Sequence, residues 1–453
     1  MNGATRLMRT VRVRNEQIPG TLGRLLLTIA ESGGDVGEIR LIQETHRAMI
    51  REITIYANDE DELVRVLAAM AANSGTRVLA VRDEVLDLHQ KGKIAIRSRF
   101  PIDSLNTLRK VYTPGVAEVC LKIVADPALA RQYTAICHLV AIVTDGTAVL
   151  GLGDIGPLAG MPVMEGKAML METLVGLSGM PILLDSKDVD TIVSTVATIA
   201  PTFAAIQLED ISAPRCFEIE RRLQECLDIP VMHDDQHGTA VVTVAALTNA
   251  CRLTRIDLMK ARIGQIGLGA AGYATGRMLM TLTGSPNLGA DLSAEALKRY
   301  AALGGQPASL KEVMECDIVI ATSGAAGLIK PEMVRKGQII LALSNPSPEI
   351  DPEVAMKAGA AFAADGKSVN NVLGFPGIFR GAIDANASHI SREMLLGAAE
   401  AIANQAPSGE ILPNPLDSAM ASSSRPRVPG ICSLRTRTVR ISLVAPFIAF
   451  PLS

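Results

Sequence analysis

The segment ARIGQIGLGAAGYATGRMLMTL, residues 261–282, decides the fold of the larger part of the chain. A short apolar run typical of a buried strand leads into glycines at 267, 269 and 272, and a helical stretch without proline follows. Glycine turns between a strand and a helix bind a dinucleotide pyrophosphate, and an acid about 20 residues further on binds the ribose. Asp291 lies 19 residues after Gly272. The predicted dinucleotide site comprises Gly267, Gly269, Ala270, Ala271, Gly272 and Asp291.

The acid at position 291 also bears on which dinucleotide is bound. A carboxylate hydrogen-bonds the free 2′-hydroxyl of NAD and repels the 2′-phosphate of NADP. The next residues, Leu292 and Ser293, supply no guanidinium. The sequence therefore favours NAD, with NADP as the alternative.

A second stretch, GLGDIGPLAG at 151–160, repeats the glycine spacing. Asp154 would place a carboxylate inside a phosphate loop, and we expect Pro157 and Gly160 to interrupt any helix in its first turn. We predict that Gly151 and Gly153 instead allow a close approach of the chain at the wall of a cleft.

The rest of the chain predicts an α/β fold class with several domains. Strand-like and helical runs alternate from about residue 100 to 250 and again from about 255 to 375. We predict an α/β substrate and metal domain at 89–250 and a doubly wound, Rossmann-type domain at 251–405. Residues 406–453 are biased towards Ser, Pro and Arg, which predicts an atypical or poorly ordered tail.

The N-terminal residues predict a separate small domain at 1–88. Residues 10–88 follow the order βαββαβ of a ferredoxin-like unit. The Pro19-Gly20 turn and the GGDVGEIR entry into the second strand resemble an ACT domain. This resemblance implies pairing with a second copy and a small-molecule effector, whereas a unit that serves only dimerisation is the alternative.

Composition excludes several classes of partner. The 44 basic and 47 acidic side chains give a net charge of −3, and no basic run could follow a nucleic acid backbone. No stretch approaches the roughly 20 apolar residues of a membrane helix. The seven cysteines form no C-x-x-C pair, which favours a reducing compartment, and we expect a cytoplasmic protein.

Paired acids follow two strand-like runs, Glu209-Asp210 in QLEDI and Asp234-Asp235 in HDDQHGTA. Because parallel strands end at one edge of a sheet, we expect the two pairs to converge there. Oxygen ligands select a hard cation, Mg²⁺ or Mn²⁺. Helix-capping or solvated acids are the alternative for either pair taken alone.

Four further residues have side chains that bear on the chemistry of the chain. Lys167 is predicted at the start of an apolar helix, where a nearby cation would lower its pKa and free its amine as a base. A lysine that only extends to solvent is the alternative. His233 and His237 lack a third soft ligand for zinc, so we expect either structural roles or contacts that support the neighbouring ligands. Tyr112 alone indicates no role.

These motifs together resemble the short bacterial form of malic enzyme. The resemblance covers roughly residues 95–405 and rests on YTPGVA, VTDGTAVLGLGDIGPLAGMPVMEGK, QLEDI, HDDQHGTA, GLGAAG and NNVLGFPGIFRG. It implies oxidative decarboxylation of (S)-malate to pyruvate and CO₂, with NAD and Mg²⁺ or Mn²⁺. It also implies a homo-oligomer.

The same resemblance implies a role for each matching residue. The acid and base would be Tyr112 and Lys167. The metal ligands would be Glu209, Asp210 and Asp235, with Asp234 beside them as a further catalytic acid. Asn345 would contact the cofactor, and Asn370 and Asn371 the substrate.

The chain departs from the family pattern in two places. Thr147 and Ala148 stand where the long eukaryotic enzymes carry an arginine for a substrate carboxylate, so this clamp stays unassigned. The sequence after EILPNPLD also lacks the expected helical close. Malolactic-type decarboxylation to lactate, and an ACT-regulated sensor with impaired catalysis, are the alternative functions.

Overall fold

The computed structural model describes residues 6–149 and 151–416. The chain divides between Ala95 and Ile96 into two units with separate interiors. Within the described residues, no helix is both long and apolar enough to cross a membrane.

The N-terminal unit packs two helices on one face of an antiparallel sheet. Its elements are β1 (Leu7–Glu16), α1 (Thr21–Glu31), β2 (Asp35–Glu44), β3 (Ala48–Ala57), α2 (Glu60–Ala72), β4 (Thr76–Arg82) and α3 (Glu84–His89). The strand order is β2-β3-β1-β4, so the predicted βαββαβ topology is confirmed. Alternate residues of β1, Val11 and Val13, pack against Leu25 and Ile29 of α1, as the period of two in a strand requires.

The second unit begins with short helices and continues into a parallel sheet. The short helices are α4 (Leu105–Val111), α5 (Gly115–Ala125) and α6 (Leu129–Tyr133), and none has a buried residue. The sheet and its helices are β5 (Leu139–Thr144), α7 (Pro157–Val175), β6 (Ser178–Leu183), α8 (Val189–Ile199), β7 (Ala205–Leu208), α9 (Arg215–Cys226), β8 (Val231–His233) and α10 (Asp234–Thr254). The strand order is β6-β5-β7-β8. Apolar runs in all four fit a sheet with both faces covered.

A second parallel sheet follows. Its elements are β9 (Ile263–Ile266), α11 (Ala270–Thr283), β10 (Leu288–Ala290), α12 (Ala294–Ala302), β11 (Gln306–Pro307), α13 (Leu310–Met314), β12 (Ile318–Ala321), β13 (Ile339–Ala342), α14 (Pro352–Lys357), β14 (Phe362–Asp365), α15 (Phe375–Asp384) and α16 (Arg392–Gln405). The order β11-β10-β9-β12-β13-β14 is that of a doubly wound nucleotide-binding sheet. The strand order therefore reverses between β9 and β12, where such sheets bind ligands.

The predicted tail at 406–453 lies outside the described residues from position 417 onward. Its first part is held against the second unit, because the side chain of Asn249 donates to the carbonyl oxygens of Ala403 and Ile411.

The first glycine stretch corrects one prediction. We expected Pro157 and Gly160 to interrupt a helix, but α7 begins at Pro157 and continues through Gly160. Proline is well suited to the first helical position, because the N–H that it lacks would have no partner there. A mid-helix glycine costs only about 1 kcal/mol, which the packing of a 19-residue helix offsets. Lys167 consequently lies in the middle of α7, not at its start as we predicted.

Candidate active site

Three carboxylates meet at the carboxyl edge of the first parallel sheet. Glu209 and Asp210 follow β7, and Asp235 lies just after β8 in the first turn of α10. β7 and β8 are paired in parallel, so their ends lie side by side. One carboxylate oxygen from each of the three residues lies within 4.8 Å of the others. The predicted convergence of the two acid pairs is therefore confirmed.

The backbone of Asp210 is held in an unusual conformation. Its φ of 54° lies in the left-handed region, which costs energy for a residue with a Cβ. Two hydrogen bonds hold this conformation: the Asp210 N–H donates to Asp235 Oδ2 at 2.9 Å, and the Ala148 N–H donates to the Asp210 carbonyl at 2.9 Å. The backbone of Asp210 is therefore fixed next to Asp235, whose carboxylate belongs to the same cluster.

The electrostatics of these acids fit a divalent cation. Burial, together with the neighbouring carboxylates of Asp235 and Glu209, raises the pKa of Asp210 to about 9. Burial also raises the pKa of Glu209. Asp210 Oδ2 is buried and has no hydrogen-bond partner among residues 6–149 and 151–416, and such an atom is costly unless a cation binds it. An all-oxygen set suits Mg²⁺ or Mn²⁺.

Lys167 projects from α7 into the same cluster. Its Nζ lies 2.5 Å from Asp234 Oδ2 and 3.0 Å from Glu209 Oε1, and 4.5 Å from the ring centroid of Phe375. Burial lowers its pKa, but the carboxylates of Asp234 and Glu209 outweigh burial and raise the pKa above its usual range. The lowered pKa that we predicted for Lys167 therefore requires positive charge among these carboxylates.

Asp234 links Lys167 to the segment before α15. Its side chain is fully buried, and its Oδ2 also accepts a 2.9 Å hydrogen bond from Asn371 Nδ2. Asn371 thus lies at the site. Asn370 is exposed, and its Oδ1 accepts from the Val372 N–H, so this oxygen caps a short turn.

The later glycine segment lies at the reversal point of the second sheet. Gly267 has a φ of +83°, and a Cβ there would lie 2.7 Å from Ser323 Cα. A Cβ on Gly272 would lie 1.9 Å from the Gly267 carbonyl oxygen. Only glycine fits these positions, and α11 begins directly after the turn, at Ala270, with its N–H groups available for phosphate.

Of the two other residues predicted to bind the cofactor, Asp291 contacts this glycine segment and Asn345 lies in a different loop. Asp291 accepts from the N–H groups of Leu268 at 2.7 Å and Ser293 at 2.8 Å, so its carboxylate is fixed against the glycine turn. Asn345 is exposed in the loop after β13.

Tyr112 is the one predicted catalytic residue that the structure does not bring to this cluster. It ends α4 and is 68% exposed. Among the described residues, no side-chain hydrogen bond joins it to Lys167 or to the carboxylates.

Two buried glutamates near these sites were missed by sequence reasoning. Glu220 of α9 accepts from the His233 N–H at 2.8 Å, from Gln236 Nε2 at 3.1 Å and from His237 Nε2 at 3.0 Å. It thereby caps α10, which carries Asp234 and Asp235. The contact also gives His237 the structural role that we predicted.

The other glutamate, Glu349, is fully buried and joins two loops at the edge of the second sheet. It accepts from Ser323 and Ser344. No sequence signal distinguishes these two glutamates from ordinary surface acids.

Comparison with known proteins identifies the family. The family model described as "Malic enzyme, N-terminal domain" matches residues 93–224, and "Malic enzyme, NAD binding domain" matches residues 363–419. The chain is 55% identical over 418 residues to NAD-dependent malic enzyme 1 of Bacillus subtilis, covering 92% of this chain and 95% of that protein. The chain belongs to the malic enzyme family.

Other malic enzymes give the same result. A bifunctional malic/malolactic enzyme of Bacillus subtilis is 43% identical over 374 residues, covering 76% of this chain and 91% of that protein. The crystal structure of the NAD-dependent malic enzyme of Thermotoga maritima matches with a TM-score of 0.69 and 38% identity, covering 73% of this chain and 94% of that chain. The malic enzyme fold predicted from the motifs is thus confirmed.

Proposed function

We propose that this chain catalyses the oxidative decarboxylation of (S)-malate to pyruvate and CO₂, with NAD as the oxidant. The observation that carries the proposal is the buried Nζ of Lys167, held between Asp234 and Glu209 beside a carboxylate cluster in a member of the malic enzyme family. A base next to a cation site is what the first stage of this reaction requires.

The cation and the cofactor would be held at separate sheet edges. Glu209, Asp210 and Asp235 would hold Mg²⁺ or Mn²⁺, and the glycine segment with Asp291 would hold NAD, with NADP as the alternative. When bound, the cation acidifies the malate hydroxyl and stabilises the enolate left after CO₂ loss, and the nicotinamide accepts the hydride. The carboxylate cluster fits such a cation because no other group in the described part of the chain hydrogen-bonds the buried Asp210 Oδ2.

We propose that Lys167 accepts the proton of the C2 hydroxyl as hydride leaves C2. Asp234 and Glu209 both contact the ammonium, and Asn371 donates to Asp234, so Nζ has a fixed position when it receives the proton. Neutralising the surrounding carboxylates removes the effect that raises the Lys167 pKa, and the amine can then act as a base. Phe375 keeps water from one side of the ammonium.

The test is an assay with malate that crosses NAD and NADP with Mn²⁺, Mg²⁺ and a chelator. We expect NADH and pyruvate in equal amounts, a faster reaction with NAD than with NADP, and no turnover with the chelator. Lactate without net NADH would support malolactic chemistry instead, which the 43% identity to a bifunctional malic/malolactic enzyme makes the second candidate.

The remaining site roles are proposals of the same kind. We propose that Tyr112 is the general acid that protonates C3, that Asn345 contacts the cofactor and that Asn371 contacts malate. Asn370 retains its amide nitrogen for the substrate, because only its oxygen caps the turn.

Exposure of Tyr112 supports a homo-oligomer that completes the site. Large apolar side chains are exposed around it, including Leu105 at 72%, Leu121 at 69% and Val124 at 78%. We propose that a second copy covers α4 and α5 and receives Tyr112. Mixing Tyr112→Phe with Lys167→Ala subunits should then restore activity, since one site per hybrid dimer has both residues. No recovery would place Tyr112 in its own subunit's site.

We further propose the division into domains at 1–88, 89–250 and 251–405, with a tail at 406–453. The sheet order of the first unit supports an ACT-like role with a small-molecule effector. Removing residues 1–88 should abolish any effector response while malate turnover remains. If the effector response is unchanged without residues 1–88, this unit serves only dimerisation. If the full chain does not turn over malate, the sensor with impaired catalysis is favoured instead. A cytoplasmic location stays a prediction.

A further inference from the structure

A cavity outside the proposed catalytic site lies between α10, α11 and α16. It has a volume of about 270 Å³, counting the solvent at its mouth. Its lining residues are His237, Ala274, Arg277, Met278, Thr281, Arg392, Leu395 and Leu396. None of the clustered carboxylates and none of the glycines of the dinucleotide segment is among them.

The cavity carries positive charge that the chain does not neutralise by direct pairing. Arg277 is half-buried, and its Nη2 lies 3.4 Å from His237 Nδ1. Within residues 6–149 and 151–416, neither Arg277 nor Arg392 forms an ion pair with a carboxylate. Burial lowers the pKa of Arg277; Arg392 lowers it further, and Glu220 opposes them. Arginine stays protonated in proteins, so two cationic residues without a carboxylate partner in the described part of the chain line one small space.

The surroundings restrict what could neutralise these cations. A guanidinium that loses water needs a charged or polar partner, and the one side-chain partner of Arg277 among the described residues is an imidazole nitrogen of His237. Planar guanidinium groups bind carboxylate and phosphate oxygens through paired, charge-assisted hydrogen bonds. Apolar atoms of Met278 and Leu395 line much of the remaining wall, which favours a compact group over an extended polar ligand.

We propose that Arg277 and Arg392 form a binding site for a compact oxyanion, the carboxylate or phosphate group of a small molecule. The anion lies between the two guanidinium groups at the mouth of the cavity. Since His237 contacts both Arg277 and Glu220, the site adjoins the residue that caps α10. The proposal stands independently of the catalytic reaction.

Calorimetric titration of the full chain with inorganic phosphate and, separately, with acetate at constant ionic strength tests the proposal. The metal-free protein is saturated with NADH, so that the glycine segment is not available to the anion. We expect Arg392→Gln, an exposed change that does not threaten folding, to weaken binding about tenfold, as expected for loss of a charged hydrogen bond. Arg277→Gln should weaken it at least as much, and Arg277→Lys should retain part of it.

Arg335→Gln is the matched control, because Arg335 pairs with Asp317 elsewhere on the second unit. This variant should bind the anion as the wild type does. Binding of phosphate alone would indicate a phosphorylated ligand, and binding of acetate as well would indicate a carboxylate; either supports the site. No binding of either anion to the wild type, or unchanged binding in both glutamine variants, would overturn the proposal.

Discussion

Removing the carboxylate of Glu349 tests whether two loops at the edge of the second sheet are held in place for the cofactor. Glu349 is fully buried. Its Oε1 accepts from the Ser323 N–H at 2.7 Å, the Ser323 hydroxyl at 2.8 Å and the Ser344 hydroxyl at 2.6 Å, and its Oε2 accepts from the Ser344 N–H at 3.3 Å. The loops follow β12 and β13, beside Gly267 and before Asn345.

The magnitude follows from the donors that Glu349→Ala leaves behind. The two hydroxyls can rotate to other acceptors, but the two backbone N–H groups cannot. The Ser344 N–H is buried, whereas the Ser323 N–H is part-buried and can donate to water. A buried N–H without a partner costs about 1–3 kcal/mol, so the variant should lose at least about that much stability in these loops. If NAD binding must order these loops again, part of its binding free energy is used for that ordering. A cost of about 1.4 kcal/mol would weaken NAD affinity tenfold.

Fluorescence titration with NADH and a thermal unfolding scan measure the two effects. Glu349→Gln keeps one acceptor oxygen, so it should fall between the wild type and the alanine variant. Glu353→Gln changes an exposed acid in nearby α14 and should leave both quantities unchanged. Wild-type NADH affinity and melting temperature in Glu349→Ala would refute the assigned role.

Three other perturbations test the site. Lys167→Ala should abolish hydride transfer while NADH fluorescence still reports binding; near-normal turnover would exclude it as the base. Asp291→Ser should raise the ratio of kcat/KM with NADP to kcat/KM with NAD. Both values should fall, because the Leu268 N–H loses its acceptor. An unchanged ratio would show that Asp291 does not contact the ribose. Burial lowers the pKa of His233 from 6.5 to about 4. Between pH 6.5 and pH 4 the unfolded chain therefore binds a proton that the folded chain does not, so the free energy of unfolding should fall by up to about 3 kcal/mol as the pH drops through this range. An imidazole NMR titration centred near 6.5 would contradict this.

The carboxylate cluster was predictable because its positions follow from strand ends. Glu209 and Asp235 each lie one or two residues beyond a short apolar strand, and the carboxyl ends of neighbouring parallel strands share an edge. The dinucleotide segment was predictable for a similar reason, since strand, glycine turn and helix are contiguous in sequence. Both predictions required only local pattern and one general rule of sheet topology.

Glu220 and Glu349 were not predictable in the same way. Each is a single glutamate in a polar stretch, and its burial depends on which distant segments become its neighbours. Glu349 contacts Ser323, 26 residues away, and Glu220 contacts His237, 17 residues away. The protonation of Lys167 has the same origin, because its pKa is set by carboxylates from β7 and α10 rather than by its own helix.

The two glycine stretches have the same spacing but different structural roles. In the later one, Gly267 allows the turn directly before α11, and Gly272 allows the first turn of α11 to lie against that turn, so backbone N–H groups face the phosphate position. In the earlier one, a Cβ on Gly151 would lie 2.6 Å from the carbonyl oxygen of Asn345, in the loop after β13. Gly151 therefore brings the loop after β5 against the second sheet. A side chain at position 151 would push the loop of Asn345 away from the sheet that carries the carboxylates. The proposed hydride acceptor, NAD, would then lie farther from Lys167, the proposed base.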